Sequence, residues 1–239
     1  MPFIVFDIET VPDESLWKSD PLTKAGKKRV KEEFAPLYAH RPIVIGFAIV
    51  DDALNMSHLG FVGGDDEPKL ITDFSDWVAQ QTATLVTFNG RGFDVPVLAL
   101  RALRHGISQR FYTPAHRRRY DEENHLDLMS ALTEGGTLGR TGFSLSTMSA
   151  LIGLPGKGAD EDGSKIHGMY QKGEHEKIQL YAQSDVVRTA FLLYRYLLMR
   201  GRIELTAYRR AALALLELCK ERKLTNVLFG CDSKRLLLE

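Results

Sequence analysis

A chain of 239 residues with 31 basic and 31 acidic side chains has no formal net charge, so a polyanionic partner must be held by local patches and not by the field of the whole protein. Two cysteines, Cys219 and Cys231, exclude a disulfide framework and a zinc cluster and suit reduced thiols in a cytoplasmic protein. The most apolar later stretch, 186–199, is interrupted by Arg188 and Arg195, which argues against a membrane span; the opening apolar run ends in carboxylates and does not read as a signal peptide.

The length suits one α/β domain, with a core over 2–199 and a helical extension over 200–239, and no linker or low-complexity run divides it. Residues 3–8 predict a strand apolar enough to be buried on both faces. Side chains in a strand repeat with period two, so Asp7 and Glu9 point to one face. Two like charges there would repel strongly unless a divalent cation sat between them. A basic insertion follows over 21–35, with Lys24, Lys27, Lys28, Arg29 and Lys31. Residues 43–50 and 55–62 read as the next two strands, parted by the Asp51-Asp52 turn signal.

Helical spacing over 70–81 leads into a short strand at 85–88. Asn89-Gly90 is a turn signal, and a helix over 93–105 places Asp94 at the C-terminal edge of a strand and near a helix N-terminus, where open α/β sheets put their chemistry. After a loop holding a second basic group, Arg117, Arg118 and Arg119, residues 125–128 read as the last strand. Residues 138–173 look irregular apart from an apolar helix at 145–152. Helices over 174–199 and 205–220 close the chain. The first lacks Gly and Pro, so Tyr181 and Asp185, four apart, share a face.

Three motifs in this order resemble those of the DEDD superfamily of 3'-to-5' exonucleases, and specifically the proofreading exonuclease domain of family-B DNA polymerases. They are Asp7-Ile8-Glu9, then Asn89-Gly90-Arg91-Gly92-Phe93-Asp94, then Tyr181-Ala182-Gln183-Ser184-Asp185. The last places the chain in the Tyr subclass. A closer resemblance is to stand-alone bacterial proteins described as predicted exonucleases related to that domain. The resemblance implies an RNase H-like fold, a mixed five-stranded sheet with its first three strands antiparallel and the later two parallel to the first, flanked by helices.

It also implies two Mg²⁺ or Mn²⁺ ions. Asp7 would bridge both, Glu9 and Asp185 would complete the site that activates water, and Asp94 would hold the ion on the leaving-group side. Tyr181 would orient the water, since a phenol of ordinary acidity is a poor base at neutral pH. Two ions together activate water, relieve charge on the phosphoryl group and stabilise the leaving oxygen. The implied partner is a single-stranded 3' end, with DNA favoured over RNA, and Thr10, Asn89 and Phe93 are the candidates for contacting the terminal nucleotide. The rival class is a nucleic-acid-binding or partner-docking protein that kept the fold and lost turnover. A protein partner would find room on the exposed side of the C-terminal helices, and no residue pattern identifies one.

Other features have plainer readings. Residues 153–158 contain Gly-Lys without the spacing of a phosphate-binding loop. Asp127 suits a supporting role beside four metal carboxylates. None of the seven histidines has metal-ligand spacing, although His125 stands close to Asp127.

Overall fold

The computed structural model describes residues 1–18, 34–113, 115–116, 118, 122–139, 141–156 and 165–239. Most of the basic insertion, two of the three arginines at 117–119 and the Gly-Lys segment beyond residue 156 fall outside these.

The strands β1 (Phe3–Pro12), β2 (His40–Val50), β3 (Met56–Gly63), β4 (Thr84–Thr87) and β5 (His125–Asp127) form one sheet in the order β3-β2-β1-β4-β5. The pairs β1 with β2 and β2 with β3 are antiparallel, and β1 with β4 and β4 with β5 are parallel. This is the RNase H-like arrangement. β1 lies at the centre, and its apolar residues divide with period two. Phe3 and Val5 enter one core with helix α6 (His175–Met199), whereas Ile4, Phe6 and Ile8 enter the other with α1 (Glu67–Ala79) and α2 (Asp94–His105). Helices on both faces explain why the strand is apolar almost throughout. β3, at the sheet edge, is largely exposed.

Local chemistry sets the helix ends. Asp66 caps α1 by accepting from the Lys69 amide at 3.0 Å, and Gly106, left-handed at φ 67°, ends α2. Among the described residues the remaining helices are α3 (Leu128–Leu132), α4 (Leu145–Ile152), α5 (Ile166–Gln171), α7 (Leu205–Glu221), α8 (Thr225–Leu228) and α9 (Ser233–Leu237). Residues of α7, α8 and α9, including Tyr208, Leu215, Val227 and Leu236, share the core that α6 makes with the sheet.

Three expectations change. The last strand ends at Asp127 and not at residue 128, because the Asp127 side chain caps α3, accepting from the Ser130 amide at 3.1 Å. The irregular segment contains α5, six residues long and too short for a periodic signal, anchored by buried Ile166. β1 continues through Pro12, past the carboxylate pair, with its pairing to β2 shifting register between Glu9 and Thr10.

Candidate metal centre

Asp7 and Glu9 project from β1 on the α6 side, as the period-two reading requires. α6 crosses β2 at Gly46, which pairs with Asp7 in the sheet register. A Cβ on Gly46 would stand 3.0 Å from both the carbonyl carbon and the oxygen of Ala182, so the absent side chain lets the helix backbone approach the strand. That approach brings Asp185 to the sheet. One carboxylate oxygen from each of Asp7, Glu9 and Asp185 lies within 4.8 Å of the others, and Glu9 and Asp185 are buried.

Asp94 stands beside this group and outside it. As the first residue of α2 it is buried, and its Oδ1 accepts the Ile8 amide at 3.0 Å, between the two β1 carboxylates in sequence. Burial pushes its carboxyl up to about 7 against the pull of its backbone hydrogen bonds, and the charges of Asp127 and Asp185 add to the rise. Tyr181, one turn before Asp185 on α6, is buried; burial and then the charges of Asp185, Glu9 and Asp7 hold its phenol well above its ordinary range. The side chain is therefore held in its neutral, protonated form.

Asp127 supports the site from behind. Its carboxylate accepts the amides of Asn89 at 3.0 Å and Arg91 at 2.8 Å as well as that of Ser130, fixing the turn in which Asn89 takes φ 69°. Gly90 belongs there, since a Cβ would stand 2.4 Å from Thr87 Oγ1. His125 is buried with Nε2 2.9 Å from Thr87 Oγ1 and Nδ1 3.2 Å from the Tyr112 hydroxyl. Burial, then Arg91 and His116, push it down to about 3, which leaves it a neutral structural ring.

The three candidates for nucleotide contact fall into two groups. Asn89 is in the Asp127-held turn. Thr10 and Phe93 meet at a second place with His40, which the sequence did not single out. The Thr10 hydroxyl is 2.8 Å from His40 Nδ1, and His40 Nε2 is 2.9 Å from the Ala35 carbonyl. A carbonyl only accepts, so Nε2 carries the proton and Thr10 donates to Nδ1. The His40 ring lies edge-on to Phe93 at 4.9 Å, and exposed Phe34 is 5.9 Å from Phe93.

A second residue passed over was Arg188, noted only as a charge interrupting an apolar run. It is wholly buried one turn beyond Asp185, with Nη1 3.5 Å from Asp185 Oδ1. Its spacing of three from Asp185 on a helix without Gly or Pro was the available signal.

Carboxylates gathered beside the central strand of this sheet define a DEDD-like fold of the 3'-to-5' exonuclease superfamily. A family model described as predicted 3'-5' exonuclease related to the exonuclease domain of PolB matches residues 32–228, and the chain belongs to that family. Asp94, Tyr181 and Asp185 lie inside the match, while Asp7 and Glu9 precede it. Among solved structures, the chain is similar to the family B DNA polymerase of the hyperthermophilic archaeon Pyrobaculum calidifontis, at a TM-score of 0.56 and 16% identity over 99% of this chain and 28% of that one. It is also similar to E. coli exonuclease I in a zinc-bound complex with single-stranded DNA, at a TM-score of 0.47 and 14% identity over 91% of this chain and 45% of that one. The chain thus spans less than half the length of either. No curated protein matches it. Among the described residues, no helix is long and apolar enough to cross a membrane.

Proposed function

We propose that the chain is a metal-dependent 3'-to-5' exonuclease of the Tyr subclass, releasing nucleoside 5'-monophosphates from single-stranded ends, with DNA favoured over RNA. The observation that carries this reading is the convergence of Asp7, Glu9 and Asp185 from a strand and a helix onto one site. Carboxylates crowded in this way fit a hard divalent cation such as Mg²⁺ or Mn²⁺, which prefers oxygen ligands. Those three residues would hold the metal, with Asp94 on the leaving-group side. Bound divalent ions would supply water activation and charge relief on the phosphoryl group.

The protein's own groups do the rest. Tyr181, held neutral, donates to the attacking water and orients it. The Ile8 amide keeps the Asp94 carboxylate turned toward the strand. Because Thr10 gives its proton to His40, its oxygen faces a substrate as an acceptor, suited to a sugar hydroxyl. Phe93, with His40 and Phe34, offers aromatic surface for the terminal base. Residues 1–239 act as one catalytic domain, α7 to α9 extending its core.

Incubation with 5'-labelled and 3'-labelled oligonucleotides, with Mg²⁺ or Mn²⁺ and then with chelator, tests the reading. Progressive shortening of the 5'-labelled strand, with label released as mononucleotide from the other, is expected; absence of metal-dependent cleavage on both DNA and RNA would sink it. Competition between matched DNA and RNA strands tests the preference, and selective loss of RNA would reverse it.

A further inference from the structure

We propose that Arg188 is the resident counter-charge of the carboxylate centre, a positioning residue that holds Asp185 in place before a cation arrives and restrains how tightly that cation is held. The inference rests on the reading of Asp7, Glu9 and Asp185 as metal ligands. Two of the contacts of Arg188 bear on this role. Its Nη1 is 3.5 Å from Asp185 Oδ1, and its Nη2 donates to the main-chain carbonyl of Asn226, in α8, at 2.9 Å. The Ser184 hydroxyl, next to Asp185, donates to the Leu180 carbonyl at 2.7 Å and stands 3.0 Å from the side-chain amide of Asn226, so α8 is tied twice to the turn of α6 that carries the ligand.

Burying a guanidinium completely is unfavourable unless opposite charge and hydrogen bonds compensate it. The Asn226 carbonyl asks only for a donor, and a neutral amide would satisfy it. The Asp185 carboxylate, 3.5 Å from Nη1, offers opposite charge to the guanidinium. Its field extends past Asp185 to Tyr181, where it opposes the upward push that burial, Asp185, Glu9 and Asp7 exert on the phenol. Arg188 therefore acts on the same cluster as the ligands while sitting behind them.

A fixed positive charge at this position has two effects of opposite sign. It repels an incoming cation, which lowers affinity. It also attracts the Asp185 carboxylate through an ion pair at 3.5 Å that is not a hydrogen bond, which biases that side chain toward one arrangement before the cation is bound. Removing the charge while keeping a donor should tighten metal binding and slow the chemical step. Ordinary structural damage would weaken both, and this difference in sign makes the role testable.

The experiment measures Mn²⁺ binding from the paramagnetic resonance signal of the free ion, alongside single-turnover cleavage, for the parent, Arg188→Gln, Arg188→Lys and Asp185→Asn, with folding checked by near-ultraviolet circular dichroism. Arg188→Gln should bind Mn²⁺ about tenfold more tightly and cleave about tenfold more slowly. Arg188→Lys, which keeps the charge, should stay within about threefold of the parent in affinity, and Asp185→Asn should bind more weakly. A folded Arg188→Gln with unchanged or weaker affinity overturns the assignment. If that variant does not fold, Arg188→Lys decides: a shift beyond tenfold in either direction overturns the charge-based role, and parental affinity supports it. A parent that binds no Mn²⁺ would instead remove the metal reading beneath the proposal.

Discussion

Two clusters of acidic side chains flank the central strand, and they are built on opposite plans. In the centre formed by Asp7, Glu9 and Asp185, three carboxylates stand within 4.8 Å of one another, and the buried guanidinium of Arg188 reaches Asp185 at 3.5 Å, an ion pair without a hydrogen bond. In the other, carboxylate faces guanidinium: Arg101, wholly buried on α2, donates through Nη2 to Glu67 at 2.7 Å and to Asp13 at 2.8 Å, and His105 Nε2 is 2.9 Å from Glu67. The matched cluster ties the end of β1 to the starts of α1 and the flank of α2. Like charges brought together in the crowded one repel one another, and such crowding is a mark of sites that hold a cation. Burial and acidity are common to both, so it is the closeness of pairing with arginine, hydrogen-bonded in one and loose in the other, that separates the proposed metal centre from the structural cluster.

The sharpest break between them should come from Asp7→Ala or Asp94→Ala, which we expect to cut turnover by several orders of magnitude and weaken Mn²⁺ binding, while the metal-free Asp7→Ala protein melts no lower than the parent and Asp94→Ala, which strands the Ile8 amide, melts lower. Single-turnover rates, metal titration and thermal unfolding in chelator check all three; parental rates would end the assignment. Next in size, Tyr181→Phe should slow the chemical step by roughly 10- to 1,000-fold with metal binding preserved. A parental single-turnover rate would make Tyr181 a packing residue.

The matched cluster should respond in the reverse sense. Arg101→Met leaves Glu67 and Asp13 without their guanidinium and should cost about 3–5 kcal/mol of stability in denaturant unfolding, with turnover per folded molecule retained. An unchanged midpoint would show that the cluster does not hold β1 to α2.

The smallest expected effect is the pH response of Asp13. Burial pushes its carboxyl up, but hydrogen bonds from Ser15 and Arg101 outweigh that and hold it at about 2, against an ordinary 3.8. A carboxyl lower in the folded than in the unfolded chain stabilises the protein above the unfolded value, and the contribution is lost as pH falls from about 4 through about 2. Solvent screening limits it to on the order of 1 kcal/mol. Asp13→Asn should flatten unfolding free energy against pH in that window; an unaltered acid slope would refute the assignment.

Much of this was legible in the chain. Strong alternation and apolar runs gave β1 and α6, and motif spacing put Asp7, Glu9 and Asp185 on surfaces that meet. The sequence also read Asp94 as a fourth carboxylate; it stands beside the group with Oδ1 turned onto the Ile8 amide. That orientation depends on a main-chain donor, which no side-chain pattern reveals. Arg101 and Glu67 are 34 residues apart, and neither position is distinctive alone. α5 escaped notice because six residues complete less than two turns. His40 was invisible for a similar reason, since its significance lies wholly in its contact with Thr10, 30 residues away.

Gly46 gives the centre a fixed gauge. β2 and α6 meet there main chain to main chain, so the spacing of the backbones that carry the sheet carboxylates and Asp185 is set by no side chain at position 46. Adding one methyl group would displace the helix by a few tenths of an ångström, comparable with the roughly 0.2–0.5 Å that separates Mg²⁺–oxygen from Ca²⁺–oxygen distances. Ionic radius is then the property that position 46 controls: Gly46→Ala should shift binding preference from Mg²⁺ toward Ca²⁺ in calorimetric titration, and an unchanged ratio would show that the carboxylates, not the backbone contact, set the size of the ion.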